Sequence, residues 1–126
     1  MAYVVGIVLA VVTCGFARAV GFDRDRAFYP TLIVVIAAYY VLFAVMGGSS
    51  RALILESVQL GVFTAVAVAG FKGPFWLVVA GLAGHGVWDF FHAYLVNNPG
   101  VPTWWPAFCS SIDVAMALFV AVFRRR

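Results

Sequence analysis

Charge is what this chain has least of. Asp, Glu, Lys and Arg together make up 10% of its 126 residues, against about 25% in a typical soluble domain. Hydrophobic residues reach 65% and the mean hydropathy is +1.05. A water-soluble fold of this length would lack the polar surface needed to cover itself. The same composition excludes disorder and, despite a net charge of +3, a nucleic-acid binder. Cysteine is scarce too. The two present, Cys14 and Cys109, cannot staple a secreted module. They fall on different predicted helices at different depths, so they are expected to stay unpaired, as small buried hydrophobes. There is no internal repeat, no low-complexity tract, no Cys pair and no His-Glu-x-x-His run. What remains is an integral membrane protein in contact with a lipid bilayer.

A spanning helix needs about 20 mostly apolar residues, because the hydrocarbon core is about 30 Å thick and a helix rises about 1.5 Å per residue. Five stretches qualify, at roughly 2–20, 28–46, 51–71, 74–96 and 105–123. They are separated by Asp23-Arg24-Asp25-Arg26, by Gly47-Gly48-Ser49-Ser50, by Lys72-Gly73 and by a turn-forming run from Asn97 to Thr103. Pro74 and Pro106 suit first helical turns. No basic residue precedes the first apolar stretch and basic residues follow it, the reverse of a signal peptide, so a retained helix is expected. The predicted fold is all-α: a single domain over 1–126, a compact bundle of five transmembrane helices. Arg18, Arg24, Arg26, Lys72, Arg124, Arg125 and Arg126 share one side under this topology and only Arg51 lies opposite. The positive-inside rule then puts the N-terminus outside and the C-terminus in the cytoplasm of a plasma or inner membrane. Small residues in the fourth helix (Ala80, Gly81, Ala83, Gly84, Gly86) and the third (Gly61, Ala65, Ala69) are expected to let helices approach closely.

Ionisable groups at bilayer depth cost at least about 2.5–3.5 kcal/mol each on insertion scales, so those present call for a reason. Glu56, Asp89 and Asp113 fall within predicted spans, as do both histidines, His85 and His92. Offsets of four and seven put His85, Asp89 and His92 on one stripe of the fourth helix, with Asp89 and His92 within about 40° of the His85 direction. At about 1.5 Å per residue, Glu56 and Asp113 lie at depths that let all five meet in the outer half of the bundle. Gln59, Cys109, Tyr39 and Tyr40 could extend the same polar surface. Arg51 is read as an interfacial side chain rather than a partner of Glu56.

Three functional readings follow. In the first, the His/Asp/Glu site binds or transports a small molecule or ion, linked to a metal or to protons. Two imidazoles and up to three carboxylates are a sensible ligand set for a divalent zinc, iron or manganese ion. In the second, the protein is a membrane-embedded enzyme on a lipid-like substrate, either a metal-dependent hydrolase or an isomerase with His85 and Asp89 as acid and base. In the third, it is an accessory subunit whose polar residues only hold helices together. A small hydrophobic or ionic ligand is the expected partner, and a chain this short would self-associate if it had to enclose a pathway. The Val101-Pro102-Thr103-Trp104-Trp105-Pro106 loop and the span count resemble the tryptophan-rich translocator proteins. The His85-x-x-x-Asp89 turn is similar to that of sterol isomerases of the emopamil-binding class. Neither resemblance transfers a binding residue to this chain.

Overall fold

The computed structural model describes residues 1–123. Arg124, Arg125 and Arg126, on which part of the orientation argument rests, lie outside the described residues. The helices are α1 (Ala2–Val20), α2 (Phe28–Met46), α3 (Ser50–Lys72), α4 (Trp76–Leu95) and α5 (Trp105–Phe123), with one turn of 3-10 helix, Phe22–Arg24, after α1. Their ends follow local chemistry. Gly21 adopts the left-handed conformation at φ 89° and closes α1 by donating its N–H to the Ala17 carbonyl, a conformation that side chains with a Cβ resist. Ser49 caps α3, its hydroxyl accepting from Ala52 N at 3.1 Å. The fourth helix starts two residues later than expected. Pro74 and Phe75 form a tight turn, their carbonyls accepting from Leu77 and Val78 at 3.1 and 2.9 Å, and regular helix begins at Trp76.

Four helices, α1, α2, α3 and α5, are long and apolar enough to cross a membrane. The exception is α4, whose 20 residues include His85, Asp89 and His92. Its place in the bundle accounts for that difference. In section the helices run α1, α5, α4, α3, α2, with α2 returning against α4. Thus α4 has protein on three sides, and its buried stripe (Val78, Leu82, His85, Asp89, His92) faces those neighbours. Val87, Phe90, Phe91, Tyr94 and Leu95 are exposed on its remaining face. A helix shielded in this way can hold polar groups that a lipid-facing helix cannot.

Glycine lets helices approach at some of the expected positions and not at others. A Cβ on Gly81 would meet Ile33 Cδ1 at 2.9 Å and one on Gly86 would meet Val114 Cγ2 at 2.7 Å, whereas Gly61 has nothing within 4 Å. The tightest contact is in a loop. A Cβ on Gly100 would sit 1.8 Å from the Phe43 carbonyl oxygen, so the α4–α5 connection is laid directly on the α2–α3 turn. Gly100→Ala should therefore cost about 1–3 kcal/mol through overpacking, read as a lower melting temperature in detergent. Gly61→Ala, the control, should be neutral or slightly stabilising, since alanine is the better helix former by up to about 1 kcal/mol.

The opposite end of the bundle is tied by Arg26. Its guanidinium donates to the carbonyls of Phe71 at 2.6 Å, Gly70 at 3.0 Å and Gly73, and it lies over the Phe75 ring, 5.3 Å from the centroid. These carbonyls include otherwise unpaired acceptors at the end of α3, where a cation is also favoured by the helix dipole.

Candidate functional site

The buried polar residues collect between α2, α3, α4 and α5. His85, Asp89, His92, Glu56 and Asp113 are each at most 2% exposed. They form two groups. In the deeper one, His85 Nδ1 lies 2.8 Å from Asp113 Oδ2 and 3.3 Å from Asp89 Oδ2, and the Tyr40 hydroxyl donates to Asp89 Oδ1. In the second, His92 Nε2 lies 2.6 Å from Glu56 Oε2. Asn98 Nδ2 donates to the same oxygen at 2.8 Å and to the Tyr40 carbonyl at 3.1 Å. Tyr40 joins the groups: its ring stacks on His92, with centroids 4.1 Å apart and planes 17° off parallel, while its hydroxyl reaches Asp89.

Acceptors outnumber donors in the deeper group. Four carboxylate oxygens face one imidazole Nδ1, one phenol and the Cys109 thiol, with no Lys or Arg in contact among the described residues. The single N–H at Nδ1 is used by Asp113, so the 3.3 Å approach of Asp89 Oδ2 is a contact without a hydrogen bond. Asp89 Oδ2 and Asp113 Oδ1 consequently have no hydrogen-bond partner, although both are buried. Unpaired buried acceptors are expensive, and two carboxylates facing one another more so. An additional positive centre between them, a proton or a metal ion, would relieve both.

One ligand atom from each of His85, Asp89 and Asp113 falls within 4.8 Å of the others, so the three could hold a metal ion. Around a tetrahedral zinc with bonds of about 2.0–2.1 Å, neighbouring ligand atoms stand about 3.3–3.4 Å apart. The Nδ1 to Oδ2 separation of 3.3 Å already fits, and that of 2.8 Å would need to open by about half an ångström. One imidazole with two carboxylates is a borderline-to-hard donor set. The far nitrogen, His85 Nε2, has no partner and its ring packs edge-on against Phe63 at 4.6 Å. A metal ligand usually anchors its second nitrogen to an acceptor, and this one does not.

The remaining candidates separate clearly. Tyr40 is fully buried and central. Tyr39 is 40% exposed and packs on Phe43 and Trp105, so the structure does not bring it to the polar groups. Adjacent helical positions diverge by about 100°, and only one of the two tyrosines can face inward. Gln59 is buried but donates to the Ala37 carbonyl at 2.7 Å, tying α3 to α2, and its Oε1 is unpartnered. Cys109 is buried beside Asp89 and Asp113. Cys14 and Cys109 are both free. Arg51 is exposed, and the partners of Glu56 are His92 and Asn98. Asn98 is the residue that sequence reasoning missed: it sits in a run whose composition signals only a turn.

No known family model, curated protein or solved structure matches this chain. Function therefore rests on the site itself: an all-helical, membrane-type bundle enclosing a His/Asp cluster that could bind metal.

Proposed function

We propose that this is a multi-pass membrane protein that binds one divalent cation (zinc, iron or manganese) through His85 Nδ1 and the carboxylates of Asp89 and Asp113. All five helices cross the bilayer in this reading. At about 1.5 Å per residue, the 20 residues of α4 are long enough, and its polar stripe is turned to protein. The asymmetry of Lys and Arg supports an outer N-terminus. The observation that carries the proposal is the pair of unpartnered carboxylate oxygens beside His85. A divalent ion with a neutral imidazole balances two carboxylates, so the filled site is electrically neutral in a medium where net charge is costly.

Binding is favoured over turnover of a lipid-like substrate by the enclosure of the cluster. His85, Asp89 and Asp113 are at most 1% exposed, and the surface hollows beside Phe28, Phe90, Val34 and Phe108 are not lined by any of them. Drug-sized ligands need an open cleft, whereas a bare cation does not. Elemental analysis of protein purified without chelator is the test. About one transition-metal ion per chain is expected in the wild type, and less than a tenth of that in His85→Ala, since loss of one of three protein ligands removes a large share of the affinity. A wild-type protein that takes up no zinc, iron or manganese when each is supplied would sink the proposal.

A further inference from the structure

Around the deeper group, the Phe63 ring lies edge-on against His85. Apart from the Cys109 thiol beside Asp89 and Asp113 on α5, the polar contacts that leave it among the described residues pass through Tyr40. They run from Asp89 to Tyr40, across the stacked rings to His92, on to Glu56 and then to Asn98. Asn98 is the last buried residue on this line, between exposed Asn97 and Pro99. Glu56 carries a third unsatisfied carboxylate oxygen, Oε1, fully buried and with no donor in reach. A cation crosses a low-dielectric interior by exchanging one oxygen or nitrogen ligand for the next, because leaving all of them costs far more than any single step.

We infer that Glu56, His92 and Asn98 form a second, transient cation station, through which a divalent ion reaches and leaves the His85–Asp89–Asp113 site. The inference rests on the cation-site reading above and adds the route. Asn98 closes the station: its amide donates to Glu56 Oε2 and to the Tyr40 carbonyl, pinning the α4–α5 loop over the carboxylate. When that amide swings out, Glu56 faces water and supplies the first anionic ligand. The ion then passes the edge of Tyr40 to Asp89. Glu56 and His92 are not ligands of the resting ion, so they govern how fast it exchanges and not how tightly it is held.

Radioactive zinc exchange on the full chain in detergent micelles separates rate from affinity. Asn98→Ala should speed both uptake and release about tenfold, the factor corresponding to about 1.4 kcal/mol of lost hydrogen bonding. Glu56→Gln keeps the shape and the acceptor for His92 but removes the charge, and should slow both about tenfold. The equilibrium dissociation constant should stay within about threefold of wild type in each, because an access step scales both rates together. The two variants push the rates in opposite directions, so if one fails to fold the other still decides. Unchanged rates, or a weakened affinity with unchanged uptake, would overturn the station and leave the inner site standing. Absence of zinc binding to the wild type would overturn both.

Discussion

With chelator present, Asp113→Asn protein should melt at a higher temperature than the wild type, and added zinc should no longer raise that temperature. Without a metal, the two carboxylates face each other across one imidazole nitrogen, with Asp89 Oδ2 and Asp113 Oδ1 unpartnered. An amide at position 113 removes one negative charge. Its oxygen can accept from His85 Nδ1 as Asp113 Oδ2 does, and its NH2 supplies the donor that Asp89 Oδ2 lacks. Relief of a buried like-charge contact and an unmade hydrogen bond together amounts to about 1–3 kcal/mol. The wild type instead gains from the ion, by about 2.7 kcal/mol at a hundredfold excess over the dissociation constant. The two proteins should thus change order when zinc is added. Polar residues that merely join helices predict the reverse: Asp113→Asn would melt lower, and metal would move neither protein. Melting curves of both, each with chelator and with zinc, decide between these outcomes.

The second large effect is destabilising. Glu56→Ala should lower stability by about 3–5 kcal/mol, the usual penalty for leaving half of a buried, hydrogen-bonded pair. It strips His92 Nε2 of its acceptor at 2.6 Å and Asn98 Nδ2 of one of its two acceptors. His92→Leu alone should be similarly damaging, since it leaves Glu56 buried with only Asn98. The double variant Glu56→Leu/His92→Leu should recover most of the loss, because two apolar side chains replace a pair that cost much to desolvate. A double-mutant cycle by denaturant or thermal melting measures this coupling. Additive losses would show that the pair does not act as a unit.

The helices were legible because apolar runs of spanning length punctuated by Gly, Pro and charge admit few other readings. The bounds of α1, α2 and α5 coincide with the runs at 2–20, 28–46 and 105–123. The least apolar helix, α4, was legible through a different signal, since offsets of four and seven force His85, Asp89 and His92 onto one face whatever surrounds them. What periodicity could not supply was the pairing. Glu56 and Asp113 are remote from α4 in sequence, and nothing local says that Asp113 takes His85 while Glu56 takes His92. That choice depends on the section order of the bundle, which places α5 and α3 on different sides of α4. Asn98 was hidden for a related reason. Its side chain acts across the tertiary structure from a segment without regular period, and Asn-Asn-Pro-Gly reads as turn chemistry alone. Tyr39 and Tyr40 were indistinguishable by depth, and only the rotation of α2 about its axis separates them.

The two ends of this bundle are fastened differently. At one, Arg26 grips the carbonyls of Gly70 and Phe71 in the last turn of α3 and of Gly73 just past it, a grip independent of what the interior contains. At the other, a loop is held by one asparagine amide and by the fit of Gly100 under Phe43. The protein is built like a clothes-peg, riveted at the tail and sprung at the jaws. Loosening should therefore begin at the loop end when Asn98 or Gly100 is replaced, while the Arg26 end stays closed.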